Sequence, residues 1–273
     1  PVLIERPSES GLALVLNERL DGEDSNLPFQ PAFVTLVQRV LDWFDDVIVL
    51  SSALGDHLVG EIGRPSDRVH VLRQGADTRF FRAEPSSVVD PSLVVAVGRE
   101  HRDYGTLLQA MERLPEARAV IVANSPWAKG DGYQSKAGDE IGAPPPNVAF
   151  VPWLDDVALR DLYATAAAVV VPVLEGTTFA AGVNSFIESQ AMGRAPILTE
   201  TPGMKLYHDE GASVAVPPSD PSALAHAIDA MLSNGPRQAE MGRNARLRAE
   251  DHDIDCFAEQ VASIARTSHE RQQ

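Results

Sequence analysis

Along this chain short apolar runs alternate with stretches whose apolar residues recur every three to four positions. The run Val169-Val170-Val171 has no polar interruption, the pattern of a parallel strand covered on both faces. Strands are predicted at Leu93–Val97, Arg118–Ala123, Val148–Val151, Val169–Val173, Ala195–Thr199 and Ser213–Val216. Helices are predicted at Tyr104–Arg113, Asp155–Ala166, Val183–Met192, Pro221–Ser233, Pro236–Glu250 and Ile254–Thr267. This βα alternation predicts an α/β fold, a doubly wound, Rossmann-like parallel sheet with helices on both faces and ligands at the carboxyl ends of its strands.

The amino-terminal part is less regular. Gly11–Leu16 reads as a short strand or a helix turn, and Phe33, Leu36, Val37, Val40, Leu41 and Phe44 have helical spacing. Val47–Leu50 reads as a strand, Ser51-Ser52 as a cap, and about Ala53–Ile62 as a helix. A strand at Val69–Leu72 is followed by turn residues Gln74-Gly75-Ala76-Asp77-Thr78. The predicted organisation is a partial α/β segment over residues 1–82, a Pro- and Ser-containing linker over 83–92, and the parallel-sheet domain over 93–273. Residues 124–146, rich in Gly and Pro, form a long loop.

Candidate chemistry gathers at the predicted strand ends. Gly182 lets backbone approach a ligand, and the helix after it presents N–H groups and a positive dipole end, together a site for phosphate. Asn184 and Glu188 are four residues apart and share a helical face, Glu188 about 6 Å further along, or roughly one ribose away. Val183, Ile187 and Ala191 line another face. The alternative is that any βαβ unit has a glycine near a helix start and a solvated glutamate. Arg99 and Arg102 follow the first strand of the sheet domain and read as a bidentate diphosphate clamp; alternatively Arg102 makes a surface ion pair with Asp103. Trp153 and Leu154 sit where backbone would edge a nucleobase, although Trp153 reads equally as core. Glu175 is placed to hydrogen-bond sugar hydroxyls, or is a solvated loop residue. His57, His101, His208 and His252 have no metal-ligand spacing, and no nucleophile elbow, P-loop or HExxH pattern occurs.

Composition narrows the partners. The chain has 273 residues, 44% hydrophobic and 23% charged, with a net charge of −16 and a pI near 4.8. That balance is of a soluble globular protein and argues against nucleic acid and anionic membrane as partners. Cys256 is the only cysteine, which rules out an internal disulfide and a cysteine metal cluster. No run approaches a membrane span and no signal peptide is visible, so a cytoplasmic location is expected. The chain begins at Pro1 rather than Met, which points to a missing amino-terminal portion.

From about Val47 to Ala265 the sequence resembles the retaining nucleotide-sugar glycosyltransferases of the GT-B fold, the glycosyl transferases group 1 type, mainly their carboxyl-terminal donor-binding half. The segment VIVLSSALGDHLVGEIGRPSDRVHVLRQGADTRFF resembles the crossing into the donor domain, and VAVGREHRDYGTLLQAM the glycine-arginine turn that opens it. NVAFVPWLDDVALRDLYATAAAVVVPVLE and NSFIESQAMGRAPILTETPG resemble the remaining donor-site strands, and VAVPPSDPSALAHAIDAML the closing helices.

The resemblance implies roles. Arg99 would bind the donor diphosphate; Tyr104 stands where the family often has a lysine, which makes Arg102 the substitute. Arg99, Arg102 and Glu175 are the implied catalytic residues. Backbone N–H groups of Gly182, Val183 and Asn184 would hold phosphate, Glu188 the ribose hydroxyls, and Trp153 and Leu154 the base. The family's second glutamate falls at Ala180, eight residues before Glu188, whereas Glu175 lies thirteen before it, so the donor sugar is read differently or through a longer loop. The implied reaction is glycosyl transfer from a nucleotide-diphosphate sugar to a carbohydrate or small-molecule acceptor with retained configuration, in polysaccharide or glycoconjugate synthesis, with no metal or other cofactor. About 80 amino-terminal residues are too few for a full acceptor domain, so the chain is expected to be a fragment or a reduced relative, with any acceptor-side catalytic histidine absent. An apolar surface on residues 1–50 then predicts self-association. A nucleotide-sugar 2-epimerase and a non-catalytic nucleotide-sugar-binding module are the competing readings.

Overall fold

A computed structural model describes residues 14–16, 45–84, 86–98, 101–123, 144–151 and 154–272. Its strands are β1 (Leu14–Leu16), β2 (Val47–Val49), β3 (Val69–Val71), β4 (Leu93–Val97), β5 (Arg118–Val122), β6 (Val148–Val151), β7 (Ala168–Val171), β8 (Pro196–Thr199) and β9 (Val214–Val216). Its helices are α1 (Ser52–Gly60), α2 (Tyr104–Glu112), α3 (Asp156–Thr165), α4 (Val183–Ala191), α5 (Pro221–Ser233), α6 (Gly235–Asp251) and α7 (Ile254–Gln272). The expected helix over Phe33–Phe44, most of the loop 124–146, Arg99 and Trp153 lie outside the described residues. No helix among the described residues is long and apolar enough to cross a membrane.

Among the described residues two parallel sheets result, one with order β1-β2-β3 and one with order β6-β5-β4-β7-β8-β9. The larger sheet is covered on both faces because its strands alternate which side each apolar residue enters. Val94, Ala96, Ala119, Ile121, Val170 and Ile197 face a cluster built with α2 and α5. Leu93, Val95 and Val169 face Tyr163 and Ala164 of α3, while Val171 and Leu198 face Val183, Phe186 and Ile187 of α4. The strand order reverses between β4 and β7, and a crevice outside the carboxyl ends of two such strands is where open α/β sheets take ligands.

The predicted elements are recovered with small shifts that have local causes. Leu93–Val97, Val148–Val151 and Pro221–Ser233 stand as expected. The strand expected to reach Val173 stops at Val171, since Pro172 has no N–H to continue the ladder. Val173 instead makes an antiparallel bridge with Arg102, and its N–H donates to Thr199 Oγ1 at 3.0 Å. Ser51 caps α1 as expected, its hydroxyl accepting from the Leu54 N–H. Asp103, Asp155 and Asp220 cap α2, α3 and α5 in the same way.

Two anchors tie the first sheet and the crossing segment to the second. Arg246 on α6 donates to the carbonyls of Thr78, Phe81 and Ala191, joining the segment that leaves β3 to the last residue of α4. At the end of α7, Arg271 reaches Asp46 Oδ1 at 3.4 Å, and the His70 ring nitrogen lies 2.7 Å from the same oxygen. Burial alone would raise the Asp46 carboxyl, but hydrogen bonds from His70 and Ser268 and the charge of Arg271 outweigh it and hold it below the usual carboxylate range.

Candidate nucleotide-binding site

Three segments meet at the carboxyl ends of β4 and β7. The first is the turn after β4. Gly98 has a φ of 117°, a conformation that favours glycine, and its carbonyl accepts the Tyr104 hydroxyl. Arg102 folds back over this turn. Its Nε and Nη2 both donate to Val97 O at 3.3 Å, and Nη2 lies 3.5 Å from Ser185 Oγ on α4. Asp103, the proposed surface partner of Arg102, directs its carboxylate at Thr106, Oδ1 accepting the N–H at 2.9 Å and Oδ2 the hydroxyl at 2.6 Å.

The second segment runs from Val173 to Gly182. Leu174 N–H donates to His101 O at 3.1 Å, which holds this strand end against the β4 turn. His101 has a φ of 52° and sets its ring edge-on to Phe179, centroids 4.8 Å apart. Phe179, Ala180 and Ala181 are buried in the apolar cluster under α4, so the position of the family's second glutamate is sealed by a methyl group. Glu175 is exposed in the following turn. Its carboxylate makes no hydrogen bond or ion pair with Arg102 or Glu188. Gly203, after β8, packs so closely on the Phe179 backbone that a side chain there would overlap it.

The third segment is α4 itself. Its N-cap, Gly182, has a φ of 87°, and a Cβ built on it would lie 2.5 Å from Val171 Cγ1 and 3.4 Å from Arg102 Cζ. A glycine is therefore required twice over, by conformation and by space. The guanidinium of Arg102 stands beside the positive end of α4, so two sources of positive potential converge. Of the three backbone donors expected at this mouth, Val183 already donates to Ala180 O at 3.3 Å. Asn184 is exposed, and its Oδ1 accepts from Gln74 Nε2 at 2.8 Å. Gln74 is a neighbour of this mouth that sequence reasoning does not find, because its 110-residue separation from Asn184 leaves no local pattern. The Gln74 N–H donates to Tyr207 Oη at 3.2 Å, and Arg73 lies over the Tyr207 ring, so the crossing segment is fixed above the helix mouth.

Glu188 is one turn below Asn184. As a residue it is only half-buried, with the carboxyl the enclosed end: the Tyr163 hydroxyl donates to its Oε2 at 3.2 Å. Burial pushes the Glu188 carboxyl up to about 7, the hydrogen bond from Tyr163 pulls it back, and the nearby charge of Asp156 adds to the rise. Leu154, half-buried, follows the carboxyl end of β6 in the chain. Among the described residues no group of three His, Cys, Asp or Glu side chains stands close enough to hold a metal ion.

Residues 91–234 match the family model described as glycosyl transferases group 1. D-inositol 3-phosphate glycosyltransferase of Gordonia bronchialis is 26% identical over 276 residues, covering 90% of this chain and 58% of that protein. O-antigen chain mannosyltransferase C of Escherichia coli is 26% identical over 253 residues, covering 89% of this chain and 62% of that one. The chain thus spans about three-fifths of the length of these curated relatives. Among solved structures, HepE of Anabaena in complex with UDP-glucose superposes with a TM-score of 0.78 at 17% identity, over 94% of this chain and 72% of that one. Sucrose-phosphate synthase of Thermosynechococcus elongatus superposes with a TM-score of 0.74 at 23% identity, over 89% and 63%. These likenesses show the fold, the GT-B arrangement of Rossmann-like sheets.

Proposed function

The chain belongs to the glycosyl transferases group 1 family, whose model covers just over half of it, and from that membership we propose that it binds a nucleotide-diphosphate sugar and serves its transfer to an acceptor with retention of configuration. The observation that carries the reading is Arg102 beside the Gly182 end of α4, at the point where the strand order reverses. A diphosphate placed there meets the guanidinium and the open N–H groups of the first helical turn. Glu188, one turn on, then accepts the ribose hydroxyls, and Leu154 borders the base. The donor-binding part is residues 93–273.

As the bond from the anomeric carbon to the diphosphate oxygen breaks, negative charge grows on the leaving group, and Arg102 and the helix end stabilise it more than they stabilise the intact donor. No metal is required for that role. The ligand named for HepE, UDP-glucose, and the sugar transfers named for the curated relatives support a hexose nucleotide donor and a glycan or glycoconjugate pathway.

Calorimetric titration with UDP, GDP and their glucose, mannose and N-acetylglucosamine conjugates tests the reading. One base family is expected to bind at micromolar affinity, unchanged by EDTA, and to identify the donor. Transfer assayed with that donor is expected to give a product whose anomeric proton signal matches the donor configuration. Failure to bind any of these nucleotides would sink the reading, and an inverted product would remove its stereochemical part.

A further inference from the structure

Tyr163 stands on α3, apart from the segments that form the crevice, yet its side chain is fully buried and its hydroxyl meets Glu188 across 25 residues of sequence. We propose that Tyr163 is a positioning residue: by donating its hydroxyl proton to Glu188 Oε2 it fixes the carboxylate in one orientation and leaves Oε1 to accept the paired hydroxyls of a ribonucleotide ligand. The proposal rests on the reading of Glu188 as the ribose acceptor.

The phenol is well placed for this because its own backbone is pinned. Arg194 Nε donates to Tyr163 O at 3.2 Å, its Nη2 donates to Ala164 O, and the Ala166 N–H returns to Tyr163 O at 3.3 Å. The last turn of α3 is thereby locked to the turn that follows α4, so the hydroxyl is a fixed reference for a flexible glutamate. A glutamate left to rotate would lose side-chain entropy on each binding event, and holding it beforehand removes that cost.

The charges around the pair set the direction of the effect. Burial is the largest influence on Glu188, and it favours the protonated form; Asp156 on α3 acts in the same sense. The Tyr163 bond favours the ionised form. Burial, with the neighbouring Glu188, holds the Tyr163 hydroxyl well above its usual range, against the charge of Arg102 and with a small contribution from Tyr104, so Tyr163 remains the donor. A ribose brings two hydroxyl donors, which an ionised carboxylate accepts better than a protonated one. Affinity therefore rises with pH as Glu188 ionises, and Tyr163→Phe, which removes one hydroxyl and no packing volume of note, moves that rise upward.

The test is calorimetric titration of the wild type, Tyr163→Phe, Glu188→Gln and the double variant with UDP-glucose and GDP-mannose, from about pH 5.5 to about pH 8.5. The diphosphate diesters stay ionised throughout, so the ligand does not titrate. In Tyr163→Phe the midpoint of the pH profile is expected to move up by about one unit, with roughly tenfold weaker binding near neutrality, and no further loss when Glu188→Gln is already present. Carbon NMR of the Glu188 carboxyl in the ligand-free proteins is expected to show the same upward shift. An unmoved titration, or an equal loss with and without Glu188→Gln, overturns the proposal and leaves Tyr163 as core. A wild type that binds neither donor overturns the donor-site reading and the proposal with it.

Discussion

Arg102→Ala is expected to weaken nucleotide-diphosphate binding about 100-fold, the loss of about 3 kcal/mol that charge-assisted bonds to phosphate supply in a partly enclosed site. The side chain is held by Val97 O at 3.3 Å from both Nε and Nη2 and lies against Gly182 and Ser185, so its charge is already in place before a ligand arrives. Arg102→Lys keeps the charge but loses the fork, and an intermediate loss of about tenfold is expected. The nucleoside without phosphates is the control: uridine or guanosine should bind both variants as it binds the wild type. Calorimetry reads all of these. Equal weakening of nucleoside and nucleotide would mean that Arg102 only holds the turn after β4.

Glu188→Gln is expected to act on binding and on stability with opposite signs. The folded carboxyl titrates at about 7 against an ordinary value of 4.5, raised chiefly by burial. A raised carboxyl contributes stability that is fully present below the unfolded value and is lost as pH rises through the folded one. Between 4.5 and about 7 the wild type therefore gives up stability, and above that window the cost of the buried charge is at most about 3 kcal/mol. Glutamine cannot ionise. Urea unfolding at about pH 8 should show the variant more stable than the ligand-free wild type, with the two converging near pH 5. Nucleotide binding should meanwhile fall about 30-fold, since the amide offers the ribose a neutral acceptor in place of a charged one. A variant no more stable than the wild type at the higher pH would show that the carboxyl is better solvated than its contact with Tyr163 indicates. A buried charge kept at a cost to the fold is the pattern of a residue retained for a ligand.

The sheet and the helix that carry the site were legible because their signals are local. Unbroken apolar runs mark β4 and β7, and the spacing of Val183, Ile187 and Ala191 marks α4. Gly182 was legible for the same reason, as a glycine at the start of a helical pattern. The end of β7 at Val171 is also written locally, in Pro172, which outweighs the apolar residue beyond it. The pairings that finish the site are of another kind. Tyr163 with Glu188, Gln74 with Asn184 and Arg102 with Ser185 join residues 25, 110 and 83 apart, and only the folded chain brings them together. Arg102 reads as half of a phosphate clamp from its place after β4, and the resemblance adds that it substitutes for an expected lysine; its position over the mouth of α4 supplies the physical reason. Glu175 shows the converse, since a carboxylate near the expected place in sequence stands exposed on a turn.

The most direct measurement is amide chemical-shift mapping of the protein on addition of the nucleotide diphosphate that binds. The expected result is that the largest changes fall on Gly182, Asn184 and Ser185 at the mouth of α4, on Gly98 and Arg102, and on Glu188 one turn further on. Changes confined to residues away from the β4 and β7 strand ends, with the α4 mouth silent, would contradict a donor site at this crevice.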